Sequence, residues 1–503
     1  MTAVFREAGN FENTLQICYF VFPRTIDLFT PMSFLYEKML RDLLQREGIE
    51  LTVDQDRVVE EFMEFFEYPM SKAIMVMRGA AGTGKTFMIR LLTWFLLRQG
   101  YKVALLAPTG RAAKVITKRT RRYASTIHRH IYSPTESASG SIFFTLKENK
   151  DPKKIFYIVD EASMVGDGEK GGRGLLADLF KFVYTEYPER KIIVVGDPAQ
   201  LPPVGSTSSP ALDPKYLEKE FGLAVFQASM TQVMRQAEAS EVLRWANLVR
   251  EAMEINTIPY PELAYGREVE MLENGHEALE LYSGLYREDD PDVVLFVTYS
   301  NKMAVDVNIA IRHLMFEPDE DLLPGEMLMV VRNNYAWGND EFPFIANGEM
   351  GVVREVHMET YEERYGFRFV DVELEFMNLA DRPVEVSCKV MLDLLTDKRA
   401  QIGFQDMQNL ARIRREEYMD IPKSRANLLF RKDPYLHALQ VKYGYAVTGH
   451  KAQGGQWKNV IVGFEPLYKG MELSDYLRWS YTAMTRAEER LYMLNCPFVQ
   501  RDW

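Results

Sequence analysis

The chain has 503 residues, 47% hydrophobic and 26% charged, a balance that suits roughly two to four globular domains and excludes a disordered or fibrous protein. Net charge is −12, which argues against uniform attraction to a polyanion, although binding answers to local fields and not to the global sum. Three scattered cysteines (Cys18, Cys388, Cys496) exclude a disulfide frame or a zinc site, and no apolar run approaches the ~20 residues of a bilayer span, so a cytoplasmic protein with no membrane partner is expected.

Residues 1–31 carry no motif, and 1–50 read as an N-terminal extension with a lead-in helix. Four β-type runs follow: "AIMVM", "KVALLA", "IFYIV" and "KIIVV". Each is Val/Ile/Leu-rich without clean alternation, as strands buried on both faces are. Helical patterns separate the first three, for instance "TFMIRLLTWFLLRQG", which closes on a glycine. The spacing predicts a parallel α/β sheet, whose ligands sit beyond the carboxyl ends of the strands.

The residues after each run are therefore the candidates. After the first comes "GAAGTGKT", which spans Gly79, Ala80, Ala81, Gly82, Thr83, Gly84, Lys85 and Thr86. This is a full phosphate-binding loop: backbone N–H groups converge on phosphate oxygens, the lysine neutralises charge and the threonine can ligate Mg²⁺. After the second run, "APTGRAAKVI" and "ASTIHRHIY" put Thr109, Arg111 and His128 on the same edge, to one side. Between Arg111 and Arg129 stand seven Lys/Arg and no acid; alone, such a run reads as a solvated helix face, and a lone His as a structural residue. After the third run, "DEASM" offers Asp160 for a metal and Glu161 as general base for a water. After the fourth, "GDPAQLPPVG" places Asp197 and Gln200 where a γ-phosphate is sensed, with Pro202 and Pro203 stiffening the exit.

Between His130 and "IFYIV", the stretch "SPTESASGSIFFTLKENKDPK" predicts a hairpin insert over about 131–153. Strand-like runs resume at "VVLFVTYS" and "EMLMVV", and "VVREV", "FVDVELEF" and "PVEVSCKVML" alternate as half-exposed antiparallel strands do. Near the end, "YGYAVTGHKAQGGQWKNVIVGF" encloses a polar loop between two strands. It holds Thr448, His450, Lys451, Gln453 and Gly454, more polar groups around a Gly pair than a connector between strands needs.

Taken in order, "LTVDQ", "GAAGTGKT", "APTGRAA", "STIH", "DEASM", "GDPAQLPPV", "TQVMRQ", "VTGHKAQGGQW" and "YTAMTRA" resemble the motifs of superfamily-one DNA helicases, most nearly the RecD-like branch. The resemblance covers residue 51 to the C-terminus and implies two RecA-like motor lobes with parallel sheets, an ATP–Mg²⁺ cleft and single-stranded DNA across the top. The expected division is 51–225 for the first lobe, 226–352 with 441–503 for the second, and 353–440 for a small β-barrel insert. Gln55 would read adenine, Lys85 and Thr86 hold phosphate and Mg²⁺, Asp160 hold the metal, Glu161 act as base, and Gln200 sense the γ-phosphate. Arg235 and Arg486 would be arginine fingers, Gln453 and Gly454 would look toward the nucleotide, and Pro108, Thr109, Arg111, His128, Pro203, Thr448, His450 and Lys451 would form the DNA face. The hairpin would be a strand-separating pin, with Phe143 or Phe144 stacking on the last base pair. The implied activity is ATP-dependent 5′–3′ translocation and duplex unwinding in replication, recombination or repair. Proteins of those pathways are possible partners, and a monomer is expected. An RNA helicase of the same superfamily and a nucleotide-switched DNA-binding module remain open alternatives.

Overall fold

The computed structural model describes residues 38–499 apart from 39, 42–43, 46–47, 137–141, 169–173, 235–238, 260–265, 317–318, 340–341, 343, 379–381 and 468–470. Strands apolar on every residue need cover on both faces, and the first half of the chain supplies it with intervening helices. In chain order these are α1 (Val53–Glu67), β1 (Ala73–Gly79), α2 (Lys85–Arg98), β2 (Lys102–Ala107), α3 (Gly110–Thr120), β3 (Ala124–Thr126) and α4 (Ile127–Ile131). There follow β4 (Tyr132–Glu136), β5 (Ile142–Leu146), β6 (Ile155–Val159), α5 (Leu175–Tyr184), β7 (Lys191–Gly196), α6 (Pro214–Phe221) and β8 (Ala224–Met230). All but β4 and β5 among these strands form one parallel sheet in the order β3-β2-β6-β7-β1-β8. Apolar clusters cover its two faces: Phe62, Phe95 and Met75 lie on one side, Val76, Leu179 and Val194 on the other. The first lobe runs past the expected residue 225, because β8 pairs with β1 along its whole length and closes the sheet edge.

Next come α7 (Glu241–Glu254), β9 (Val269–Leu272), α8 (Gly275–Leu285), β10 (Val294–Thr298), α9 (Asn301–Phe316), β11 (Met327–Val330), β12 (Met350–Arg364), β13 (Phe367–Met377) and β14 (Pro383–Met391). The chain finishes with α10 (Phe404–Glu417), α11 (Lys423–Arg431), β15 (Leu439–Tyr443), β16 (Ala446–Thr448), α12 (Gly449–Ala452), β17 (Trp457–Gly463), α13 (Leu473–Met484) and β18 (Ala487–Leu494). A second parallel sheet runs β16-β10-β17-β18-β9, and β11 to β15 close into a barrel. The barrel therefore begins at Met327 and ends at Tyr443, wider than the expected 353–440. Its first strand, "MLMV", is buried on every residue and so reads like a parallel-sheet strand; it is apolar because barrel and second lobe share one core, in which Leu328 and Val353 join Phe296 and Tyr445. The Arg-bearing stretches "LARIRREEY" and "KSRANLLFRK" fall on α10 and α11, outside the barrel wall.

One buried ion pair pins barrel to lobe. Arg312 of α9 pairs with Glu326, which is 0% exposed at the head of β11 and also accepts from Leu323 N at 2.7 Å. Burial pushes the Glu326 carboxyl up even against the opposing pull of Arg312. Removing one partner strands a charge in the core, so Arg312→Ala is expected to cost about 3–5 kcal/mol in denaturant unfolding. A loss below about 1 kcal/mol would mean the carboxylate is reached by water.

Candidate functional site

β1 ends at Gly79 and α2 starts at Lys85, and the turn between passes through left-handed backbone at Gly82 (φ 79°) and Gly84 (φ 89°). A Cβ on Gly84 would also stand 2.6 Å from Gln55 Nε2, so glycine is required there on two counts. The buried Thr83 hydroxyl donates to Ala80 O at 2.9 Å, and Lys85 Nζ donates to Gly79 O (2.8 Å) and Ala80 O (3.0 Å). The ammonium thus lies folded over the loop, with Thr86 half-buried beside it. Gln55 is 1% exposed. Its Oε1 accepts from Thr52 N in the capping box that starts α1, and its Nε2 donates to Thr83 O at 3.1 Å. Here the Gln55 amide braces the phosphate loop instead of standing open to a base.

Asp160 ends β6, its Oδ1 accepting from Glu161 N at 2.9 Å. Burial, and next the charge of Glu161, push the Asp160 carboxyl up to about 7. Glu161 holds a left-handed φ of 50° without being glycine, a local strain common at functional sites, and its Oε2 is buried with no hydrogen-bond partner. Ser163 Oγ and Gln200 Oε1 are likewise buried and unpartnered. These oxygens, with Thr86, are hard donors of the kind that Mg²⁺ takes.

The second lobe closes over this edge. Tyr481 of α13 accepts from Ala81 N at 2.9 Å and donates to Asp197 Oδ2 at 2.6 Å, while Thr482 Oγ1 accepts from Leu201 N at 3.0 Å. Arg486, 4% exposed, donates to Thr482 O (3.0 Å), Gly455 O (3.2 Å) and Thr485 Oγ1 (3.0 Å), so its guanidinium is tied to its own lobe. Burial pulls it down from the ordinary arginine value, offset in part by Glu161 nearby. Arg235 lies outside the described residues. Gln453 does not face the phosphate loop: it is 2% exposed and donates to Leu201 O at 2.8 Å. Gly454, at φ 74°, packs on the N-terminus of α3, where a Cβ would meet Ala112 Cβ at 2.7 Å and Thr109 Oγ1 at 3.1 Å.

The basic stretch divides: Lys118, Arg119, Arg121 and Arg122 are exposed, while Arg111 and Lys114 turn to the seam between the lobes. Arg111 stacks on Trp457, 4.0 Å from the ring centroid, and pairs with Asp292; Lys114 pairs with Glu349; Arg119 pairs with Gln456 and Glu488. All of these partners lie in the second lobe or the barrel segment. Arg111 is thereby corrected from DNA contact to seam residue. Thr109 caps α3, accepting from Ala112 N at 3.2 Å, and Pro108 and Pro203 are half-buried beside the edge. Thr448 starts α12, and His450 and Lys451 are half-buried on it. Lys451 Nζ donates to Asn347 Oδ1 at 2.5 Å. Burial pulls the His450 imidazole down.

β4 and β5 pair antiparallel as the hairpin, with Thr135 opposite Phe143; its tip at 137–141 and the Phe143 side chain lie outside what is described. Tyr132 OH donates to Asp178 Oδ2 at 2.6 Å, anchoring the base to α5. Phe144 is not a free wedge. Its ring meets His128 edge-on at 5.0 Å and Tyr335 at 5.4 Å, and Tyr335 stacks on Phe344 at 5.5 Å. His128 is thus a packing residue beneath the hairpin, its imidazole pulled down by burial. Sequence reasoning missed Tyr335 and Phe344, and also Tyr481, which stands in "YTAMTRA" five residues before Arg486.

A family model described as an AAA domain matches residues 50–258, and one described as a UvrD-like helicase C-terminal domain matches 443–494. An uncharacterized protein of Acanthamoeba polyphaga mimivirus is 22% identical over 499 residues, covering 87% of this chain and 98% of that protein. The ATP-dependent DNA helicase dda of Enterobacteria phage T4 is 27% identical over 265 residues, 51% of this chain and 56% of that one. The ATP-dependent RecD2 DNA helicase of Deinococcus radiodurans is 30% identical over 175 residues, 35% of this chain and 21% of that protein. Among solved structures, Pif1 helicase from Bacteroides in complex with ADP-AlF3 and ssDNA aligns with a TM-score of 0.43 at 14% identity, over 89% of this chain and 93% of that one. Among the described residues no helix is long and apolar enough to cross a membrane.

The lysine on the polar loop yields a pH test. Burial, and next the charge of Lys442, pull Lys451 down to about 8, so it is cationic below that pH and neutral above it. An anion favours the cation, so affinity for a single-stranded oligonucleotide is expected to fall several-fold between about pH 7 and 9. Lys451→Arg, which stays charged, should flatten that profile. Anisotropy titrations at constant ionic strength check it.

Proposed function

The chain belongs to superfamily one of the helicases, and from that premise we propose that it is an ATP-driven motor of the RecD-like branch that moves 5′ to 3′ on single-stranded DNA and parts duplex. The observation that carries this reading is one loop shared by two sites. Residues 448–456 hold Lys451 on the outer side, while inside the Gly455 carbonyl accepts from Arg486 at 3.2 Å and Gln453 holds Leu201 O at 2.8 Å. A strand seated on Lys451 and Thr448 shifts this loop, and any shift acts on both the arginine and the strand-end loop that carries Gln200.

In this reading Lys85 exchanges the carbonyls of Gly79 and Ala80 for phosphate oxygens, which are the stronger acceptors. Asp160 and Thr86 would hold Mg²⁺, which when bound would neutralise charge on the phosphates. Glu161, with a buried oxygen lacking a partner, accepts the proton of the attacking water. Arg486 reaches the phosphates only after leaving Gly455 O, so hydrolysis waits on the loop that grips the strand. The hairpin is braced from two sides, by α5 through Tyr132 and by the barrel segment through Tyr335 and Phe344. A braced hairpin resists the duplex drawn against it, and a base-pair step costs only about 1.4 kcal/mol of stacking.

The direct test is ATPase activity with single-stranded DNA, RNA or neither, followed by unwinding of 5′- and 3′-tailed duplexes. Stimulation by RNA alone would favour the RNA-helicase alternative, and a preference for 3′ tails would reverse the polarity.

Arg486→Ala is expected to keep nucleotide binding while slowing DNA-stimulated hydrolysis by about 10³ or more, because its cation serves the transition state. Equal losses in Kd and kcat would make it an ordinary binding residue.

Tyr335→Ala should leave DNA-stimulated ATPase within about twofold of wild type yet lower the unwinding rate by about tenfold, since it loosens only the brace behind Phe144. Parallel loss of both activities would mean that the brace serves the motor itself.

A further inference from the structure

The proposed mechanism makes no use of a buried contact between the lobes at Tyr481. Tyr481 is fully buried on α13 of the second lobe, yet its single hydroxyl touches two parts of the first. It accepts from Ala81 N of the phosphate loop at 2.9 Å and donates to Asp197 Oδ2 at 2.6 Å. Burial and the Asp197 charge push the phenol far above its ordinary value, so it stays protonated and a donor at any working pH. Asp197 is itself 1% exposed. Its other oxygen accepts from Ala199 N at 3.0 Å, and so sets the turn that carries Gln200. An amide N–H carries one hydrogen, and the one on Ala81 is committed to Tyr481. In a loop whose N–H groups converge on phosphate, that hydrogen is what an incoming phosphate oxygen competes for.

We propose that Tyr481 is a positioning residue for hydrolysis, which reports occupancy of the phosphate loop to the second lobe. A phosphate oxygen that takes the Ala81 N–H breaks the Tyr481 hydrogen bond and leaves the phenol held by Asp197 alone. Tyr481 and Arg486 stand five residues apart, on α13 and just past its end, so what moves one moves the other. The exchange thus converts phosphate binding into displacement of α13 and loosens the Arg486 contacts to Thr482 O and Gly455 O. This inference rests on the ATP-motor reading above.

Tyr481→Phe removes the hydroxyl and keeps the ring. Without competition for the Ala81 N–H, affinity for a non-hydrolysable ATP analogue in the absence of DNA should tighten by about three- to tenfold, the worth of one hydrogen bond. The ratio of DNA-stimulated to basal kcat should fall by at least about fivefold, since phosphate occupancy no longer reaches α13 through this bond. Oligonucleotide affinity should stay at the wild-type value. A merely structural role would lower thermal stability and leave analogue affinity and stimulation ratio where they were, and that result overturns the proposal. If the variant does not fold, hydrogen exchange at the Ala81 amide of the wild-type protein decides: it should be protected without nucleotide, and rapid exchange overturns the proposal. Wild-type protein that hydrolyses no ATP with DNA would instead refute the motor reading itself.

Discussion

A polar group buried without a partner costs about 1–3 kcal/mol, and in this protein the cleft is arranged so that each lobe supplies partners for the other. Tyr481 satisfies Ala81 N and Asp197, Thr482 satisfies Leu201 N, and Gln453 satisfies Leu201 O. These bonds tie the carboxyl edge of the first sheet to α13 and the 449–456 loop of the second lobe. The lobes part there only if water or a ligand takes over the same donors and acceptors. Lobe position is therefore tied to hydrogen-bond satisfaction at the phosphate loop and at the turn that carries Gln200.

The basic helix α3 makes the second tie. Arg111, Lys114 and Arg119 find the Trp457 face, Asp292, Glu349 and Glu488 on the opposite side of the seam. Local charge that could have served a polyanion is used within the chain, which accords with a net charge of −12. Stacking and partial burial protect the Arg111 contact from salt better than the exposed Arg119–Glu488 pair. The seam thus has a firm centre near Gly455 and a softer outer end.

The barrel is an extension of the second lobe, held by a continuous apolar core and by the Arg312–Glu326 pair. From it Tyr335 and Phe344 reach back to the hairpin of the first lobe, where Phe144 and His128 complete an aromatic chain. Aromatic contacts of this kind add about 1 kcal/mol each beyond area burial, enough to favour one hairpin position over many. Because the barrel shares the second lobe's core, a movement of that lobe against the first carries these rings against the hairpin.

The phosphate loop, the strand-end acids Asp160 and Glu161, the first parallel sheet and the hairpin were legible in the residues. Those signals are local: glycines permit left-handed backbone at Gly82 and Gly84, and unbroken apolar runs demand cover on both faces. Tertiary structure alone decided where the side chains of the same motifs point. Arg111 turns to Trp457, Gln55 to Thr83 O and Phe144 to Tyr335, because a buried or half-buried side chain takes the partner that packing brings near. Tyr481 lies 400 residues from Ala81 along the chain, a separation at which no periodicity or spacing carries information. Likewise "MLMV" has the composition of a parallel strand but lies in the barrel, since only the shared core explains why it is apolar on both sides. Backbone conformation is written in neighbouring residues, whereas pairing across a cleft depends on how two separately legible lobes close.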